Sequence, residues 1–98
     1  DNRLKRSMKE RELGVKIQTY WNEFITLHEQ SELQKKNVIN YQMLADAELM
    51  RFSNGESSVF LINARENVTL AAKEKRIELE ARANMKFAEL RWSAGQLK

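Results

Sequence analysis

Between Leu13 and Phe52 the apolar positions recur in alternating steps of four and three. The row is Leu13, Ile17, Tyr20, Phe24, Leu27, Ser31, Gln34, Val38, Tyr41, Ala45, Glu48 and Phe52. That is the heptad spacing of a left-handed coiled coil. Nine of the twelve are apolar or aromatic, and the row weakens at Ser31, Gln34 and Glu48. A second apolar set lies off it: Trp21, Ile25, Leu33, Ile39, Met43, Leu44, Leu49 and Met50. An ordinary two-helix hairpin needs one stripe per helix. The additional faces predict a first helix with neighbours on more than one side.

The second half of the chain repeats the pattern. Leu70, Ile77, Ala81 and Ala88 follow one heptad frame. Ala72, Leu79, Ala83, Leu90 and Leu97 follow another, displaced by two residues, which is about 200° around a helix. A helix with alanine-rich stripes on opposite sides is one stave in a wall of helices. Lys73, Lys75, Glu78, Glu80, Arg82 and Glu89 then face water or pair across the wall, each exposed pair contributing on the order of 0.5 kcal/mol.

The two patterns are separated by Phe52-Ser53-Asn54-Gly55-Glu56-Ser57-Ser58-Val59. Asn54-Gly55 is a strong turn signal, because glycine adopts positive φ freely and asparagine tolerates it. Ser57 or Ser58 can accept from the first N–H groups of a new helix. The expected fold is all-α, a long antiparallel two-helix coiled-coil hairpin forming a single unit. Its first helix spans about 3–51, its tip turn about 52–57 and its second helix about 58–94, with Gly95 as the stop. Gly14 is the one weak spot inside the first helix, marking a bend or a close helix contact, and the helix is expected to run through it. The arms would be roughly 70 Å and 55 Å long at 1.5 Å per residue. So thin a pair has little interior to bury and needs partners.

Composition agrees. The 98 residues contain no proline and three glycines, and the charged fraction is 32% with both signs interspersed, as in long helices. The chain opens on Asp1-Asn2 in sequence that is already helical, which reads as a piece of a longer protein. The net charge of +3 is mild. The first fifty residues carry eight basic and eight acidic side chains, and the rest carry nine and six. A nucleic-acid binder usually has a denser basic stripe. Five basic residues fall in the first eleven positions, but no aromatic is interleaved, and a solvated helix end explains them better than an anionic partner. No apolar run is long enough to span a bilayer and no signal peptide is visible.

The residues offer little chemistry. The absence of cysteine excludes disulfides, thiolate ligands and a thiol nucleophile. His28 is the only histidine, and it reads as a packed or solvated residue of a helix. There is no Gly-rich phosphate loop, nucleophile elbow or paired-histidine metal motif. The expectation is a protein that is not an enzyme and has no cofactor or metal.

Arg51-Phe52-x-x-Gly55-Glu56-Ser57-Ser58-Val59-Phe60-Leu61-Ile62-Asn63-Ala64-Arg65-Glu66-Asn67 resembles the second repeat of outer-membrane efflux proteins of the TolC family. The family pattern is an aromatic, a glycine three residues on, a small or hydroxyl residue, an apolar run and a long helix. That helix ends in a pattern similar to Leu90-x-x-Ser93-Ala94-Gly95-Gln96-Leu97. The resemblance covers about 40–97. It implies a homotrimeric tube, in which a β-barrel in the outer membrane continues as an α-helical barrel across the periplasm. Each protomer of such a tube gives two hairpins, and this chain resembles the periplasmic part of the C-terminal one, which does not itself span the membrane.

The resemblance also implies a partner. Tips of this kind meet the helical hairpins of the periplasmic adaptor, or membrane fusion protein, which joins the tube to an inner-membrane pump. Phe52, Gly55, Ser57, Ser58 and Val59 match the tip motif, and Ser53, Asn54 and Glu56 flank it. The assembly exports drugs, metals, lipids or proteins. Two departures from the family matter. Leu61 and Ala64 stand where many members carry pore-ringing aspartates, leaving Asn63, Glu66 and Asn67 to supply a polar ring. Phe52 and Ser57 stand where some members carry a tyrosine and an arginine that lock the closed tip, leaving Arg51 or Arg65 for that part. The rival expectation is a coiled-coil scaffold that binds partner helices through its side stripes. Taken alone, with its wall faces uncovered, the hairpin is expected to self-associate.

Overall fold

The computed structural model describes residues 1–96. Leu97, counted above in one heptad frame and in the helix-end pattern, lies outside them. Among the described residues the regular elements are two helices, α1 (Asn2–Ser53, 52 residues) and α2 (Val59–Gly95, 37 residues), and no strand. The protein is an all-α helical hairpin.

The capping chemistry explains the helix limits. Asp1 caps α1: its carboxylate accepts from the Arg3 N–H at 3.1 Å and its carbonyl from Lys5. With no proline to interrupt it, α1 runs through Gly14, where an added Cβ would meet nothing within 4 Å. Gly14 is therefore not a close-approach site.

The turn begins later than the residue pattern suggests. Phe52 and Ser53 belong to the last turn of α1 rather than to the loop. What stops the helix is Gly55, which takes φ +78°. The Gly55 N–H then reaches the Phe52 carbonyl and the Glu56 N–H the Arg51 carbonyl, at 3.0 and 2.8 Å. These are the two bonds of a Schellman cap. Ser58, not Ser57, is the cap of α2: its hydroxyl accepts from the Leu61 N–H at 3.2 Å, so α2 starts at Val59. At the far end α2 ends at Gly95, the glycine expected to stop it.

The hairpin divides into two compact units. One comprises Gln30–Leu79 and contains the turn. Its two helices run antiparallel and close on small and polar residues. Ser31, Ala45 and Glu48 of α1, and Thr69, Ala72 and Leu79 of α2, are all buried. Small side chains let helix axes come near the short end of their usual separation. Gln34 bridges the pair, donating from Nε2 to the Ala72 carbonyl at 3.1 Å. Of the three positions at which the heptad row looks weakest, Ser31 and Glu48 are thus buried and Gln34 is half-buried. Ser31 fits there by its small volume, and Gln34 and Glu48 by the partners of their polar atoms.

The other unit comprises Asp1–Glu29 and the stretch from Glu80. Here α1 contributes rings to the seam, and the buried residues of α2 are small. Tyr20, Phe24 and Leu27 are half-buried, while Ala83 and Ser93 are buried. Phe24 packs against Phe87 with ring centroids 5.3 Å apart. Lys86 lies 5.5 Å from the centre of the Tyr20 ring and 2.9 Å from the Glu23 carboxylate. The bond to Glu23 holds its ammonium above the ordinary value of 10.5, with Glu89 adding to it against the opposing effect of burial.

The second apolar faces stay uncovered. Leu33, Ile39, Met43, Leu44, Leu49 and Met50 of α1 are exposed, as is Trp21, and only Ile25 is half-buried. On α2 the frame of Leu70, Ile77, Ala81 and Ala88 is exposed, while Ala72, Leu79 and Ala83 of the opposite frame are buried. One frame closes the hairpin and the other faces outward.

Candidate functional site

The tip is a rigidly bonded turn carrying an apolar rim. Two Schellman bonds end α1, and the Ser58 hydroxyl begins α2. Ser53 returns its hydroxyl to the Met50 carbonyl at 2.9 Å. Around this frame Met50, Phe52, Val59, Phe60 and Leu61 are exposed, Phe60 at 78%. Exposed aromatic and aliphatic side chains are thus grouped at this end of the hairpin. Asn54, Gly55 and Glu56 are exposed at the turn itself, and only Ser57 is half-buried.

Ser57 points inward because it is held. Its hydroxyl donates to the Glu48 carboxylate at 2.6 Å, the length of a charge-assisted bond. Glu48 is 3% exposed, and a carboxylate so covered must be paired. Arg65 of α2 reaches its other oxygen at 3.4 Å. Arg51 of α1 stands 3.7 Å away and also donates to the Glu56 carbonyl. These contacts hold the Glu48 carboxyl below its ordinary value of 4.5; the Ser57 bond contributes most, and the arginines add to it against the opposing effect of burial.

Among the residues of the tip motif, Phe52 and Val59 flank the turn, Gly55 makes it, Ser58 caps and Ser57 tethers. Ser53, Asn54 and Glu56 belong to the same few bonds. Asn63, Glu66 and Asn67 are exposed on α2. Glu66 and Asn67 border a shallow groove with Gln42, Ala45, Thr69, Leu70 and Lys73, and Asn63 lies apart from it. Leu61 and Ala64 are exposed as well.

Glu48 is the residue the pattern underrates. Its signal was present: a carboxylate in a heptad row with Arg51 one turn further on. A charge in a seam position requires a partner, and Arg65 sits in step with the α2 seam positions Ile62, Thr69, Ala72 and Arg76.

Elsewhere, His28 is exposed and stacks on the Phe24 ring at 5.9 Å between centroids. Among the described residues no group of three or more His, Cys, Asp or Glu is placed to hold a metal ion. No described helix is long and apolar enough to cross a membrane. Comparison with protein-family models, curated proteins and solved structures finds no match to this chain.

Proposed function

We propose that this hairpin is a periplasmic wall segment of an outer-membrane export channel resembling the TolC family, and that its tip docks the periplasmic adaptor of a tripartite pump. The observation that carries this reading is the pair of opposite apolar frames on α2, one buried in the hairpin and one exposed. A stave has that arrangement, since each helix of a closed wall touches a neighbour on both sides. The tip motif supplies the second half of the reading, with the exposed rim of Phe52, Val59 and Phe60 available to helices of another protein. In the parent protein the hairpin would be one of several in a homotrimer. Asn63, Glu66 and Asn67 would supply a polar ring lining the pore.

The exposed side stripes also suit a scaffold that gathers partner helices along its flanks, and the place of binding separates the two readings. Titration calorimetry of the full chain against the helical hairpin of an adaptor encoded beside the parent gene tests them. Docking at the tip gives weak binding, ~10–100 μM or about −7 to −5.5 kcal/mol. Gly55→Pro and Ser58→Arg each abolish it. Binding that ignores both substitutions moves the function to the side stripes. No binding, even with the hairpin held as a trimer, removes the docking reading.

A further inference from the structure

We infer that Glu48 is the positioning residue of the tip: it tethers the turn from inside the hairpin and so fixes the surface that a partner meets. The docking half of this inference rests on the proposed function, whereas the tether itself does not. Glu48 is buried on α1, two helical turns before the tip glycine. One of its oxygens takes the Ser57 hydroxyl at 2.6 Å and the other faces Arg65 at 3.4 Å. A single side chain therefore joins the end of α1, the turn and the first part of α2.

Ser57 is the only residue between the Schellman cap that ends at Glu56 and the hydroxyl cap that starts at Ser58. Those two caps fix the residues on either side, but neither bonds Ser57. Without the Glu48 bond, Ser57 becomes a free joint, and α2 can swing about it with Val59 and Phe60. With the bond, the half-buried Ser57 is pinned to the body of the hairpin. Arg65 holds the same carboxylate from α2, so rotation of that helix about its axis also breaks a charged contact. The groups facing Glu48 are Arg51 from its own helix, Ser57 from the turn and Arg65 from α2. Their combined effect is to keep it ionised, the state that accepts both bonds.

Preorganisation of this kind raises affinity by removing the ordering cost of a loop on binding. Amide hydrogen exchange in the full chain tests the tether separately from docking. The amides to follow are Glu56 and Leu61, whose bonds flank Ser57, with Leu27 and Ala83 as controls. Glu48→Gln keeps the size and removes the charge. It is expected to speed exchange at Glu56 and Leu61 about tenfold, the effect of losing a hydrogen bond to a charged group, and to leave the controls unchanged. Ser57→Ala should do the same without touching the buried carboxylate, and Ser57→Thr, which restores the hydroxyl, should reverse it. Unchanged tip exchange in Glu48→Gln and Ser57→Ala overturns the inference, as does an equal rise at tip and controls. Calorimetry with the adaptor hairpin then addresses docking. Binding weakened in step with tip opening supports both claims. A wild-type chain that fails to bind while Glu48→Gln opens the tip removes the docking reading and leaves the tether standing.

Discussion

The two units of the hairpin close by different means. Around the turn, small and polar residues face one another: Ser31, Ala45 and Glu48 on α1 meet a face of Thr69, Ala72 and Leu79 on α2. Around the termini, half-buried rings line α1, with Phe24 against Phe87 and Tyr20 beside Lys86, while Ala83 and Ser93 are the buried residues of α2. The sequence pattern ranks the second arrangement as stronger because it is more hydrophobic. Burial ranks them the other way, since none of Tyr20, Phe24 and Leu27 is fully covered. Closeness of packing, more than hydrophobicity of the seam, decides how completely a two-helix contact excludes water. A thin hairpin with large side chains in its seam leaves their edges outside.

This contrast can be broken first at the turn on which the tip unit depends. Gly55→Pro forces φ to about −65° where +78° is needed, and deletes the N–H bonded to Phe52. The expected loss is about 3 kcal/mol or more, read from thermal or urea unfolding followed by circular dichroism. A variant that unfolds like the parent would remove the turn from the account.

The next pair of substitutions sharpens the comparison, because the two units should fail in opposite ways. Ala72→Leu puts extra carbon at a buried position of the seam and should cost about 1–3 kcal/mol. Phe24→Ala removes a ring that bridges Phe87 and His28. It should cost about 1–2 kcal/mol, less than the 3–5 of a fully buried ring because Phe24 is half-exposed. Enlargement tolerated at Ala72 together with truncation tolerated at Phe24 would contradict the packing described.

The units should also respond to opposite ends of the pH scale. The Glu48 carboxyl is held below its ordinary 4.5, so its stabilisation is complete above that value. That contribution is lost as pH falls through the lower folded value. Lys86 is held above 10.5, so its contribution is complete below that value and is lost as pH rises through the higher folded one. Exchange protection measured against pH should therefore fall first near the turn in acid and first near Lys86 in alkali. Glu48→Gln removes the first effect alone. Smaller than these, Ser58→Ala should cost about 1 kcal/mol for the lost cap, confined to the first turn of α2 and readable as faster exchange at Leu61.

The fold was legible in the residues because its signals are local. Heptad steps, the absence of proline and Asn54-Gly55 specify helix, turn and helix without reference to anything distant. The side stripes were legible too, since two frames 200° apart on one helix cannot both face a single partner. The boundaries of the turn shifted because the Schellman cap draws Phe52 and Ser53 into α1, and that depends on which residue takes positive φ. The candidate cap remained open between two serines, and only the inward pull of Glu48 on Ser57 separates their roles. Glu48 itself was read as a defect in the row. Its partner Arg65 lies 17 residues away, and a contact of that kind becomes visible only when the chain has folded back.

The claim that reaches furthest is that the outward frame of α2 belongs against another helix. Sedimentation equilibrium of the full chain over a range of concentrations tests it most directly, beside a variant carrying Leu70→Glu and Ile77→Glu. The predicted result is concentration-dependent self-association of the parent chain, lost in the variant while its helix content is kept. A parent chain that is fully helical and monomeric at every concentration would contradict the account.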